Sequence, residues 1–140
     1  MPDPIRIGAL VSGSGTNLQA IIDACRNGAI NGRMVFVGSD NPQAGGLTRA
    51  EQNDIPTFVV DYKKIGKESI EDPAKVVPPA DFDFDDVLAK QKFFSDQGDP
   101  VRARSFLTRR AAAEARLLEA MAGYPFDLLV LAGFKRTLTP

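Results

Sequence analysis

Residues Ile5-Arg6-Ile7-Gly8-Ala9-Leu10-Val11 make a short, mostly apolar run that closes on Ser12-Gly13-Ser14-Gly15 and passes at once into Asn17–Cys25. A run of that length bounded by a glycine loop reads as a strand. In the segment after it, Leu18, Ile21, Ile22 and Cys25 recur at helical spacing, and Gly28 is placed to stop the helix. A strand, a tight glycine turn and a one-faced helix cannot bury their apolar surfaces alone. They need a sheet on which further units of the same kind stack.

The rest of the chain supplies such units. Met34–Val37 is a second apolar run, and Gly38-Ser39-Asp40-Asn41-Pro42 is loop chemistry. A short helix is predicted from Gly46 to about Asn53, then a third strand at Thr57-Phe58-Val59-Val60. Between about 63 and 104 the alternation lapses into prolines (Pro73, Pro78, Pro79, Pro100) and charge clusters, with one helix expected near Asp85–Phe94. A structureless connection that long is unusual inside a compact domain, so this stretch reads as an insertion carrying some structure of its own. Regularity returns with a helix over Ser105–Ala122, its apolar face drawn through Leu107, Ala111, Ala115, Leu118 and Met121, and Gly123 ends it. The run Phe126–Ala132 then reads as a strand buried on both faces. The expectation is an α/β, Rossmann-like open parallel sheet with strand order 3-2-1-4 and helices on both faces. It forms one domain over 1–140 with an insertion at about 63–104.

Composition removes several classes of function. The chain has 140 residues, 17 basic and 18 acidic side chains and a net charge of −1, so no global basic field favours nucleic acid or an anionic membrane. It has no histidine, and its one cysteine, Cys25, rules out an intrachain disulfide and a cysteine-based zinc site; no metal is expected. No apolar run approaches the roughly 18–20 residues of a membrane span, and Met1-Pro2-Asp3-Pro4 does not resemble a signal peptide, so the expected location is the cytoplasm. Asp81-Phe82-Asp83-Phe84-Asp85-Asp86 has the look of a calcium loop. It lacks glycine at the sixth position and has Lys92 at the twelfth, so helix capping is the reading taken. Cys25 is read as a small core residue, and Phe82, Phe84, Phe93 and Phe94 as packing for the insertion. Arg102, Arg104, Arg109, Arg110 and Arg116 read as a solvated helix face, or more sharply as an attractor for an acidic tail.

Two loops carry the chemistry. Gly13-Ser14-Gly15-Thr16-Asn17 joins a strand to a helix start, where unpaired N–H groups and the positive dipole end suit a phosphate. The plain alternative is a glycine turn with a Thr or Asn cap. As a dinucleotide fingerprint the loop has Leu18 in the third glycine position, although Asp40 stands where a ribose-binding acid would. A nucleoside-triphosphate loop fits worse, because Gly66-Lys67 is followed by Glu68. The second loop, Gly133-Phe134-Lys135-Arg136-Thr137-Leu138, leaves the fourth strand. If that strand lies beside the first, both loops face one crevice at the topological switch point.

Leu10 to Ala24 and Val130 to Pro140 together resemble the phosphoribosylglycinamide formyltransferase family of purine (IMP) biosynthesis. Gly46–Ala50 followed by Ile55-Pro56 agrees, and the likeness covers about 5–62 and 105–140. The resemblance implies the family's N-terminal subdomain, with Gly15, Thr16 and Asn17 on the phosphate of glycinamide ribonucleotide. It implies that Arg110, Lys135, Arg136, Thr137 and Leu138 contact the co-substrate 10-formyltetrahydrofolate. The family commonly has Met and Ile where this chain has Lys135 and Thr137, which makes the pocket more polar. Its catalytic Asn and His stand in an Asn-x-His-Pro-Ser segment and its catalytic Asp comes later; none is in this chain. No catalytic residue is therefore expected here. The polypeptide should bind rather than catalyse, with a second chain or a C-terminal segment completing the site and the fourth strand presenting an edge. A dinucleotide-binding Rossmann module and a non-catalytic interaction protein on the same fold are the other readings.

Overall fold

The computed structural model describes residues 3–71 and 100–136. The expected helix near Asp85–Phe94, the Asp81–Asp86 run and the four phenylalanines of the insertion lie outside them. The order is β1 (Ile5–Val11), α1 (Thr16–Arg26), β2 (Gly32–Ser39), α2 (Gly45–Glu51), β3 (Thr57–Val59), α3 (Tyr62–Glu71), α4 (Pro100–Ala122) and β4 (Leu128–Leu131). Contacts divide the chain into two compact units. One joins the residues up to Asp61 with Glu119–Arg136, and the other is drawn from Tyr62–Leu118.

The first unit is a four-stranded sheet in the order β3-β2-β1-β4, with every pairing parallel. This is the expected α/β sheet. The β1–β2 register slips between Ile7, which faces Met34, and Gly8, which faces Phe36, so Val35 is the extra residue of a bulge. On one face Ala9, Val11, Val37 and Ala132 pack with Leu18 and Ile22 of α1 and Leu47 and Ala50 of α2. Alternation puts the neighbours of these strand residues on the other face. There Phe36 is fully buried, with Phe58, Tyr124 and Phe126 at ring-centre distances of 5.4, 5.8 and 5.5 Å. Gly8 leaves the space the Phe36 ring occupies, and Gly38 does the same for Phe58.

Three sequence expectations need correction. The stretch read as an insertion with some structure of its own opens on a helix that the sequence spacing did not place, α3 over Tyr62–Glu71. Among its described side chains only Tyr62 and Ile65, one turn apart, are buried, and that pair disappears among Lys63, Lys64 and Lys67 when the sequence is scanned for apolar stripes. The buried face of α4 passes through Leu107, Arg110, Ala111, Leu117 and Met121, while Leu118 is 63% exposed. At 100° per residue this face is turned by about a sixth of a turn from the one drawn through Leu118. It includes Arg110, whose guanidinium lies 5.6 Å from the centre of the Tyr62 ring, and a buried cation is invisible to an apolar count. Lastly, β4 is not buried on both faces: Leu128 and Leu131 are nearly half exposed, because the strand has β1 on one side and ends the sheet on the other.

β4 is locked to β1 at its start. The Arg6 guanidinium donates to both Asp127 carboxylate oxygens, at 3.2 Å from Nε and 2.9 Å from Nη2. The Arg6 N–H donates to Oδ2 at 2.9 Å, and the Asp127 N–H returns to the Arg6 carbonyl at 2.8 Å. These bonds hold the Asp127 carboxyl down at about 2 from an ordinary 3.8. A depressed carboxyl contributes stability that is complete above its unfolded value and lost as pH falls through the folded one. Between pH 3.8 and about 2, thermal melting of the native chain should therefore fall more steeply than that of Asp127→Asn. Both side chains are more than 40% exposed, so the difference should be small and should shrink in high salt. Parallel slopes at low salt would show that the pair does not act.

Candidate functional site

Three loops of the first unit gather at the carboxyl ends of β1, β2 and β4. After β1, Gly15 takes φ +77° and the first helical bond of α1 runs from the Gln19 N–H to the Gly15 carbonyl at 2.8 Å. The N–H groups of Thr16, Asn17 and Leu18 thus precede the helical ladder, as at any helix start. Leu18 is buried in the core, whereas the Asn17 side chain is exposed and no side chain caps the helix.

The loop is held from behind by α2. The Gly46 N–H donates to the Gly13 carbonyl at 3.0 Å, and Arg49 Nε donates to the Ser14 carbonyl at 2.7 Å. A β-carbon on Gly15 would lie 2.5 Å from the Gly46 α-carbon, and one on Gly45 would lie 3.2 Å from Ser14. Both glycines at the start of α2 are therefore part of the loop's seat. Sequence reading missed this seat; the adjacent Gly45-Gly46 pair was the available signal, and Arg49 offered none.

The loop after β4 crosses the end of β1 towards the end of β2. The Ala132 N–H donates to the Leu10 carbonyl at 2.9 Å, and Gly133 turns the chain with φ +76°. The Lys135 N–H then donates to Ser12 Oγ at 2.8 Å, and Arg136 Nε donates to Asp40 Oδ2 at 2.8 Å. Gly15, Thr16 and Asn17 are thus brought to the same end of the sheet as Lys135 and Arg136, as the shared crevice requires. The Lys135 side chain is exposed. Arg110 belongs to the other unit, on α4, and Thr137 and Leu138 lie outside the described residues. Asp40 is engaged by Arg136 rather than left for a ribose, which removes a support of the dinucleotide reading.

Away from this end, a cavity of about 440 Å³ lined by Ile22, Cys25, Arg33, Met34 and Ile55 opens where β2 begins. It lies at the amino ends of the strands, opposite the end where doubly wound sheets take ligands. Cys25, expected as a small core residue, is only half-buried at this cavity, and partial burial pushes its thiol up. Among the described residues no cluster of His, Cys, Asp and Glu could hold a metal, and no helix is long and apolar enough to cross a membrane.

The formyl transferase family matches the chain over residues 5–140. The chain is 29% identical over 136 residues to the phosphoribosylglycinamide formyltransferase of Escherichia coli, covering 97% of this chain and 44% of that protein. It is 50% identical over 54 residues to the Haemophilus influenzae protein of the same name, covering 39% of this chain and 26% of the relative. Among solved structures it is similar to glycinamide ribonucleotide transformylase 1 from Symbiobacterium toebii. That likeness has a TM-score of 0.61 and 33% identity over 99% of this chain and 45% of the other. The chain spans less than half the length of each of these proteins.

Proposed function

The chain belongs to the formyl transferase family, and from that premise we propose that it forms the ligand-binding N-terminal part of a phosphoribosylglycinamide formyltransferase working in the cytoplasm. Residues 1–140 are read as one nucleotide-binding domain with an insertion near 63–104. The observation that supports this reading is the meeting of the β1 and β4 loops, the two read as ligand contacts, at Ser12 and Lys135.

Glycinamide ribonucleotide brings a phosphate dianion and a primary amine. Gly15, Thr16 and Asn17 hold the phosphate: the N–H groups at the start of α1 point to it, and the Thr16 and Asn17 side chains add donors. Lys135 and Arg136, with Thr137, Leu138 and Arg110 as further contacts, hold the folate. The described part of the β4 loop fits such a donor. Its backbone is fixed at Ser12, its Arg136 is already oriented by Asp40, and an exposed Lys135 is present to meet carboxylates. When bound, 10-formyltetrahydrofolate supplies the formyl carbon that the ribonucleotide amine attacks. The residues of this chain bind and orient the two molecules. Proton transfer from the amine is assigned to groups on a further segment or a second chain, where the family's Asn, His and Asp would stand.

Removal of one charge-assisted hydrogen bond from the phosphate should weaken binding by about tenfold or more. Calorimetric titration of the 140-residue chain with glycinamide ribonucleotide should show this loss in Asn17→Ala without a change in melting temperature. If the unaltered chain takes up no glycinamide ribonucleotide, the substrate assignment fails. Equal affinity in the variant would remove Asn17 from the site.

A further inference from the structure

Asp40 is the least expected side chain at the carboxyl end of the sheet. It is 6% exposed, against 31% for its partner Arg136. Oδ2 accepts from Arg136 Nε, and Oδ1 is buried with no hydrogen-bond partner among the described residues. A buried carboxylate with one oxygen unsatisfied is a poor stabilising device, because its desolvation is not repaid by a full set of bonds. Nor does its backbone let it turn out to water easily. Ser39 before it is 1% exposed, and Ser39 Oγ both accepts from the Asn41 N–H at 3.0 Å and donates to the Asn41 carbonyl at 3.1 Å. The carboxylate is held where Arg136 reaches it.

The reach is long. Arg136 lies 96 residues further along the chain, and the loop that carries it crosses the end of β1. Among the bonds that tether the described part of that loop, Leu10 takes the Ala132 N–H, Ser12 takes the Lys135 N–H, and Asp40 takes Arg136 Nε. The first two hold backbone at β1. Of the three, the last alone spans to β2 and fixes a cationic side chain. A loop ordered before its ligand arrives loses less conformational freedom on binding.

We propose that Asp40 is a positioning residue: through Arg136 it fixes the loop after β4 in the form that receives the folate. The inference rests on the functional reading above for its ligand, and on the geometry alone for the tether.

Asp40→Asn, Arg136→Gln and the double variant of the 140-residue chain test it, with 5-formyltetrahydrofolate as the probe and hydrogen exchange of the Lys135 amide as a second readout. Asp40→Asn is expected to weaken folate binding by about tenfold and to speed Lys135 exchange. Because Asp40 acts through Arg136, the double variant should bind no more weakly than Arg136→Gln alone. The affinity for ribose 5-phosphate, which reads the β1 loop, should stay within about twofold, so a general loss of fold would be seen at once. Unchanged folate affinity in Asp40→Asn, or losses that add in the double variant, would overturn the positioning role. Should the unaltered chain bind no folate, the functional reading falls and takes the ligand with it. The exchange rate then decides the tether alone: faster in Asp40→Asn upholds it, equal rates overturn it.

Discussion

Gly15→Ala should lose phosphate binding by about two orders of magnitude and unfold several degrees earlier, while Gly13→Ala should do neither. The two glycines stand in one loop and look equivalent in sequence. Gly15 has φ +77°, and an added β-carbon would come within 2.5 Å of the Gly46 backbone and 3.2 Å of the Arg49 side chain. A left-handed backbone costs a side-chain-bearing residue about 1–2 kcal/mol. The collision adds about 1–3 kcal/mol if the loop gives way. Gly46 cannot retreat, because its own β-position already faces Val11 at 2.8 Å. The loop must therefore lift off α2, which breaks the bonds from Gly46 to Gly13 and from Arg49 to Ser14. Misdirecting two donors to a charged ligand accounts for about 3 kcal/mol, or roughly a hundredfold in affinity.

Gly28→Ala separates the two terms. Gly28 has φ +84° with nothing near a would-be β-carbon, so only the backbone cost of about 1–2 kcal/mol applies. Gly13 has neither a positive φ nor a neighbour within 4 Å. Urea unfolding should rank the variants Gly13, Gly28, Gly15 in increasing cost, and titration with glycinamide ribonucleotide should single out Gly15. Equal losses at Gly13 and Gly15 would mean that flexibility of the loop, and not its seat on α2, is what the glycines provide.

How much of this is legible in the sequence depends on whether a residue's role is local. The strands, the glycine loop and α1 rest on spacing within a dozen residues, and the structure has them at Ile5–Val11 and Thr16–Arg26. The order β3-β2-β1-β4 follows from the way such chains fill a sheet. What fails is either non-local or polar. Asp40 is visible in sequence only as an acid after the second strand, and a ribose contact is the local inference; the arginine that engages it arrives 96 residues later. Arg110 reads in sequence as part of a solvated face. It is buried, with Tyr62 beneath its guanidinium, and that pairing also turns the face of α4. The likeness to known formyltransferases points to the loop residues, but not to the Gly45-Gly46 seat or the Ser12 and Asp40 tethers that hold those loops. Those depend on the approach of segments distant in sequence.

The largest loss of stability should come from Phe36→Ala, at about 3–5 kcal/mol. The ring is wholly buried and meets three other aromatic rings, at centre distances of 5.4, 5.8 and 5.5 Å. Against a typical total of about 5–15 kcal/mol for a domain, that loss lowers the melting temperature by on the order of 10–20 °C. Gly8→Ala attacks the same place from the other side. Its β-carbon would run into the Phe36 ring, which cannot swing away because Phe58, Tyr124 and Phe126 close it in. Overpacking of this kind costs about 1–3 kcal/mol. The pair then makes a prediction that neither variant makes alone. If Gly8 is glycine because of that ring, Phe36→Leu should make room, and Gly8→Ala should cost less in the Phe36→Leu background than in the native one. Strictly additive losses in a double-mutant cycle would instead assign Gly8 to the bulge beside it, where β1 and β2 slip by a residue. The distinction reaches the candidate site, since β1 carries the glycine loop at its far end and is the strand to which both β2 and β4 pair. A strand displaced at Gly8 moves Ser12 against Lys135, so Gly8→Ala in the native background should also weaken ligand binding, and Phe36→Leu should restore it.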